Sequence, residues 1–438
     1  MTISTTTRWP HVALGIALVA ATGGMQLVDV RHGILPGPWV VSMQAVWTVV
    51  ATVVCLPAAW RRRHELSGPG RAAVISFALL GAWSLASACL APRAVVRQGV
   101  VPRAHQVAAA LTGLTTMTAA VCVVVAMGPR VRRWALPGAA ATLLAGAVVD
   151  WPVQAAIHRS PRLASGMGGS AVLHVAVLLA AAVLLDSARR APRGALRLTC
   201  TVGGVAGVVL TVATGSRAAV VELVVVAALA ALRWGRSAGR RVALAAGGLA
   251  VLCAAMVVLV PSFHRLLSLG SPLRRETMHV GVSAWWSSPL RVLVGVGSGR
   301  LFPWYAFEAK QYPAPGSGEV ITQWGRALSS AHSVYLAVAS ELGVVGLVAL
   351  AVLVAALWWQ VVVLVRGRAG HGELTTRVGS VPEWTTMVLA ATTVAFALDT
   401  YLLKNFAVST WWWVALTWVA LARADVANPD GANPARLV

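Results

Sequence analysis

Twelve nearly uninterrupted apolar stretches constrain this chain more than any other feature. They run over residues 11–28, 38–60, 72–91, 105–127, 135–157, 167–187, 198–214, 217–234, 242–260, 333–365, 383–402 and 407–422. About 20 apolar residues at 1.5 Å rise each cross the hydrocarbon core of a bilayer. With no water there to satisfy backbone N–H and C=O groups, such segments fold as helices. The chain is therefore read as an all-α polytopic integral membrane protein with about 12 transmembrane helices. A composition of 58% hydrophobic and 11% charged residues excludes an ordinary soluble domain.

The formal net charge of +22 would suggest nucleic acid if it formed one patch, but the arginines come as short clusters between apolar runs. No nucleic-acid partner is expected. Arg61 to Arg63 with Arg71, then Arg130, Arg132 and Arg133, then Arg189, Arg190, Arg193 and Arg197, fall in every second connection. Arg233, Arg236, Arg240 and Arg241, then Arg366, Arg368 and Arg377, continue the pattern. Counted with the termini, these sides hold 21 Lys and Arg against 15 opposite. Positively charged short loops stay on the cytoplasmic side, so both termini are expected there, in a plasma membrane. The first apolar run has a weak basic lead and no clear cleavage site, which reads as a retained anchor helix.

The longest connection, 261–331, is then extracytoplasmic. Its length exceeds an ordinary loop and points to a folded or functional segment. Residues 1–260 are expected to form an N-terminal bundle of nine helices, 332–423 three more, and 424–438 a disordered cytoplasmic tail. A helix is expected from Pro272 through Trp286 and a tight turn at Gly295-Val296-Gly297-Ser298-Gly299. Those glycines lack the strand-turn-helix context of a nucleotide loop. Trp411-Trp412-Trp413 is expected in an aromatic interfacial belt. The five cysteines lie within apolar runs and suggest neither disulfides nor a metal site. His105, His158, His174, His264 and His279 fit no metal-ligand spacing, and no cofactor is expected.

Four residues stand where chemistry is possible. Arg217 opens a helix at the outer membrane edge, where the free amides and dipole favour an anion such as phosphate. Glu222 follows inside the same apolar run, and a snorkelling arginine with a packing carboxylate is the plain alternative. Arg274-Arg275 lies on the expected loop helix, either as a solvated basic turn or as a fork for a diphosphate. His332 opens the tenth helix, as an interfacial residue or a neutral base facing the outer compartment. Glu341, nine positions on, lies deeper on the opposite face, so the two are no simple dyad. Ala339, Gly343 and Gly346 form a small-residue stripe for close helix packing. Arg93, Arg97 and Arg103 make a basic outer loop, solvated or facing a lipid headgroup.

Three segments, in order, resemble the bacterial O-antigen ligase and polymerase family. Gly215-Ser216-Arg217 is similar to its Ser-Arg element at a helix start. Arg274-Arg275 through Pro289, Gly295 and Gly297 resembles its outer-loop run, with Arg291 to Val294 as extra residues. His332-Ser333, Gly343 and Gly346 match its membrane signature. The resemblance covers about Thr214 to Leu350 by motif and the remainder by topology. It implies a GT-C-like, metal-independent, inverting glycosyltransferase that moves a glycan from an undecaprenyl-diphosphate carrier to an acceptor hydroxyl on an envelope glycan or glycolipid. His332 would be the general base, and Arg217 with Arg274 or Arg275 would bind the donor diphosphate.

Ligase and polymerase share this donor and differ in acceptor. A transporter of a lipid-linked glycan would instead use midplane carboxylates such as Asp150, Glu222, Glu341 and Asp399, though no inverted repeat is visible. A non-catalytic membrane scaffold would tolerate replacement of His332 and Arg217.

Overall fold

The computed structural model describes residues 9–27, 37–96, 99–260, 272–308, 319–366 and 381–427. The expected tail from residue 428 on, Arg97, Arg368 and Arg377, and two pieces of the long connection, 261–271 and 309–318, lie outside them.

The chain is mostly helical. In order come α1 (Trp9–Leu27), α2 (Gly37–Arg62), α3 (Gly68–Leu90), α4 (Arg103–Ala126), α5 (Pro129–His158), α6 (Leu173–Arg190), α7 (Ala195–Ala213) and α8 (Arg217–Leu259). A two-residue hairpin, β1 (Val95–Val96) with β2 (Gly99–Val100), joins α3 to α4. The long connection holds α9 (Pro272–Trp285), α10 (Pro289–Val294), α11 (Trp304–Glu308) and the antiparallel pair β3 (Glu319–Thr322) and β4 (Gly325–Leu328). Then follow α12 (Val334–Arg366), α13 (Glu383–Ala395), the short α14 (Tyr401–Lys404) and α15 (Phe406–Ala427).

Among the described residues, six helices are long and apolar enough to cross a membrane: α3, α4, α5, α7, Arg217–Gly235 of α8, and α12. Two shorter apolar helices, Pro10–Met25 and Phe406–Ala422, join them in a multi-pass membrane protein. A helix apolar on every side belongs in the middle of a bundle. Accordingly, Leu173 to Leu184 of α6 and Ala407 to Ala422 of α15 are buried throughout.

Several expectations change in the structure. Residues Arg217–Leu259 make one helical run broken at Gly235 (φ 62°), where two spans with a longer connection were expected. The apolar run from 167 becomes helical only at Leu173, because the glycine-rich Gly166-Met167-Gly168-Gly169 segment resists helix and forms a small bridge between Ser165 and Gly168. The run 383–402 stops being helical after Ala395, and Asp399 Oδ1 accepts from the Thr400 N–H at 2.7 Å, a local bond that competes with the helix ladder.

The tryptophan triplet also departs from expectation. Trp411, Trp412 and Trp413 are buried in the bundle, not arrayed in a belt. Trp412 donates its indole N–H to Thr392 Oγ1 at 2.9 Å, and Trp413 packs on Phe77 with centroids 4.8 Å apart. Their helix runs through the centre of the bundle, so its aromatic end meets neighbouring helices.

Arginine clusters hold the end of the bundle opposite the long connection. Glu383, at the start of α13, accepts from Arg189 at 2.5 Å, Arg233 at 2.8 Å and the Trp234 indole at 3.2 Å. Asp186 accepts the N–H groups of Trp384 and Thr385, capping the same helix start. At the other end, the long connection folds onto the bundle through its own core of Val280, Ala284, Val296, Leu301, Phe302 and Val320.

Candidate active site at the loop end of the bundle

A glycine turn delivers Arg217. Helix α7 ends at Ala213, and Gly215, at φ 59° where a side chain would be strained, donates its N–H to Val212 O at 2.9 Å. Thr214 Oγ1 donates to Thr211 O at 2.7 Å and accepts from Ser216 N at 3.3 Å, so the turn is internally bonded and buried. Helix α8 then begins with the half-buried Arg217.

His332 arrives by a different distortion. Its φ of 50° makes it one of two non-glycine residues in the left-handed region among those described. Histidine visits that region more readily than most residues, and such conformations gather at functional sites. The twist turns the chain from β4 into α12, where Ser333 Oγ caps the first turn by accepting from Leu336 N at 3.2 Å. Val334 N donates to Phe396 O at 2.7 Å and Asp399 O at 3.0 Å, tying the start of α12 to the break after α13.

Helix α9 supplies the third group. Arg274 Nη2 lies 3.4 Å from His332 Nδ1. A guanidinium has only donors, so the contact leaves Nδ1 as the acceptor. Burial lowers the pKa of Arg274, the negative charge of Asp399 opposes that shift, and the positive charge of Arg217 adds to it. The structure thus brings Arg274 to His332 and places Arg217 and Asp399 within electrostatic reach of Arg274. Arg275 is exposed and lines a separate surface pocket.

Further along α12, Glu341 fastens the long connection to the bundle. Helix α12 is interrupted at Gly343, at φ 65° and ψ −162°, so the stripe glycine is a break in the helix. Opposite the break runs the Gly295 to Phe302 turn, with Val296 N donating to Ser340 O at 2.9 Å and Gly297 N to Glu341 O at 3.0 Å. The buried Glu341 carboxylate accepts three more backbone N–H groups, from Gly299 at 3.0 Å and from Leu301 and Phe302 at 2.9 Å each. A carboxylate in an apolar bundle needs such partners, and the turn offers its N–H groups in a row. The same turn is pinned to α3 and α4, through Ser298 N to Ser87 Oγ at 3.1 Å and Gln106 Nε2 to Ser298 O at 2.7 Å. The residues between Pro289 and the glycines form α10, capped by Ser288 and ended by Gly295 at φ 77°.

Sequence reasoning marked Glu341 and Asp399 as carboxylates inside apolar runs, but only as groups a transporter would use, and missed that Glu341 binds the glycine turn and that the charge of Asp399 bears on Arg274. A second buried pair lies deeper, His174 Nε2 and Glu222 Oε1 at 3.5 Å. Beside the site a narrow cavity of about 60 Å³ is lined by Ser330, Ala331, Glu341, Lys404 and apolar residues of α3 and α4. Arg103, in the basic loop, donates to the carbonyls of Ala88 and Ala91 and so caps α3. Among the described residues, no three His, Cys, Asp or Glu side chains cluster as a metal site would require.

A multi-pass membrane protein with a folded loop over a histidine and convergent arginines has the layout of a membrane-embedded enzyme. Residues 201–351 match the O-antigen ligase family and carry a domain of that enzyme family. The matched span runs from α7 into α12 and contains Arg217, Arg274, His332 and Glu341. Such a domain implies lipid-linked glycan substrates and a role in polysaccharide biosynthesis. No curated protein matches the chain.

Proposed function

We propose that the chain transfers a glycan from an undecaprenyl-diphosphate carrier to an acceptor hydroxyl on the extracytoplasmic face of the plasma membrane. The observation that carries this reading is the 3.4 Å approach of Arg274 to His332, with the charge of Arg217 bearing on the same guanidinium. The acceptor hydroxyl gives its proton to the imidazole and its oxygen attacks the anomeric carbon. The bond from that carbon to the diphosphate oxygen breaks, the configuration inverts, and the departing diphosphate gathers negative charge. Arg274 and Arg217 stabilise that charge as it develops, without requiring a metal.

The order of events follows from the donor-only chemistry of arginine. In the resting site the Nδ1 lone pair of His332 faces Arg274. A bound diphosphate draws the guanidinium onto its oxygens and releases that lone pair for the acceptor proton. Donor binding thereby switches on the base. Two of the four carboxylates that a transporter would move are held in place: Glu341 by the glycine turn, and Asp150 by the Gly166 N–H at 2.8 Å and Gln154 at 3.2 Å.

The test uses purified chain in liposomes with undecaprenyl-diphosphate-linked glycan, a candidate envelope acceptor and EDTA. Transfer by wild type, lost in folded His332→Ala and Arg217→Ala, is the expected result. Scrambling of the lipid without transfer would replace this reading with a transporter. Extension of the donor glycan itself would make the enzyme a polymerase of the same family.

A further inference from the structure

We infer that the pocket between α9 and the turn of the β3–β4 hairpin binds a carbohydrate chain, a glycan-holding site separate from the reaction centre. The inference rests on the transferase reading for its biological meaning but not for its chemistry. Pro272, Arg275, Glu276 and His279 line one wall at helix spacing, and Trp324, Gly325 and Arg326 form the other. Its volume of about 460 Å³ lies in the usual range for ligand sites of roughly 300–1,000 Å³.

The pocket is built on fixed elements. Leu328 N donates to Thr277 Oγ1 at 2.9 Å, fastening β4 to α9. Arg326 pairs with Glu276 at 3.2 Å and Glu319 at 3.5 Å. Gly325 has a φ of +127°, and a Cβ there would stand 3.2 Å from Val280 Cγ2, so the turn closes tightly on the helix. Arg291 stacks over the Trp324 ring at 5.2 Å and holds the indole in place.

Those groups suit a sugar better than an anion. An indole offers an apolar surface to the C–H face of a pyranose, while carboxylate and guanidinium groups beside it accept from and donate to hydroxyls. Glu276 and Glu319 offset Arg326, so the pocket is not the uniformly cationic cup a diphosphate requires. Arg274 and Arg275 are about 100° apart around α9 at 3.6 residues per turn. One helix thus turns Arg274 to His332 and Arg275 to the pocket, so a glycan held outside can extend to the reacting sugar within.

The experiment is saturation-transfer NMR on the full chain in lipid nanodiscs, with maltotetraose, mannotetraose and galactotetraose as probes and inorganic pyrophosphate as the anion control. At least one tetrasaccharide is expected to bind wild type and His332→Ala alike. Binding should weaken ~tenfold or more in Trp324→Ala, as lost aromatic contact implies, and weaken in Arg275→Ala. Trp324→Phe, which keeps a ring and guards against misfolding, should retain part of it. Absence of tetrasaccharide binding to wild type, or unchanged binding in folded Trp324→Ala, would overturn the inference. So would pyrophosphate binding that depends on Arg275 without any sugar binding. If sugar binding follows the expected pattern but liposomal transfer fails, the transferase reading falls and the pocket stands. Transfer with no sugar binding removes the pocket alone.

Discussion

Arg274 Nη2 and His332 Nδ1 stand 3.4 Å apart although they lie 58 positions apart in the sequence, one on a helix of the long connection and the other on a left-handed residue before α12. This pairing predicts that the two residues fail differently. His332→Ala should lower turnover by ~10² to 10⁴, the usual contribution of a general base. Arg274→Ala should cost ~10² to 10³, as for a lost transition-state donor. Arg274→Lys should recover only part, since an ammonium lacks the fork. Steady-state transfer in liposomes measures all three, and full activity in Arg274→Ala would refute the assignment.

Glu341 is expected to hold the glycine turn of the long connection. Glu341→Ala strands three buried N–H groups at about 1–3 kcal/mol each. Hydrogen exchange across Gly295 to Phe302 should rise sharply as the turn loosens from α12. Unchanged protection in that segment would show that the carboxylate is dispensable.

A methyl group at the helix break should be ruinous. An added Cβ at Gly343 would stand 2.4 Å from Leu293 O, and at Gly295 it would stand 2.2 Å from the Glu341 carbonyl carbon. The left-handed backbone adds about 1–3 kcal/mol of strain for a non-glycine residue. Thermal melts in detergent of Gly343→Ala and Gly295→Ala should fall well below wild type, whereas Gly24→Ala, with open space around it, should melt normally.

Trp412 distinguishes a buried core from an interfacial belt. Trp412→Ala should destabilise by about 3–5 kcal/mol, the cost of deleting a large core side chain. A belt residue would give a far smaller loss, visible in the same melts.

The Glu383 cluster tests stability apart from chemistry. Replacing Glu383 by Ala leaves Arg189 and Arg233 facing one another without their carboxylate, a loss of about 3–5 kcal/mol if the site behaves as a buried pair. Arg189 is about half exposed, which reduces its share. The fraction that folds should still transfer at the normal rate, because the cluster lies at the end of the bundle away from His332.

Much of this arrangement is legible in the sequence because it is written in local signals. Arg217 follows Gly215 at the boundary of two apolar runs, and Ser333 beside His332 is an ordinary helix cap. What is not legible depends on helix phase and distant partners. Adjacent Arg274 and Arg275 are equivalent as letters, and only the packing of α9 turns one inward. Glu341 finds its partners about 40 residues earlier in backbone N–H groups, which carry no residue identity. The triplet Trp411 to Trp413 marks a helix end correctly but not that helix's central place in the bundle.

The left-handed backbone of His332 gives this position two independent demands. One is a side chain that can exchange a proton, and the other is a main chain that tolerates φ 50°. Alanine fails both at once, so its effect mixes lost basicity with a misdirected start to α12. Asparagine tolerates the conformation and cannot serve as the base. The two substitutions together divide the contribution of this residue between architecture and chemistry.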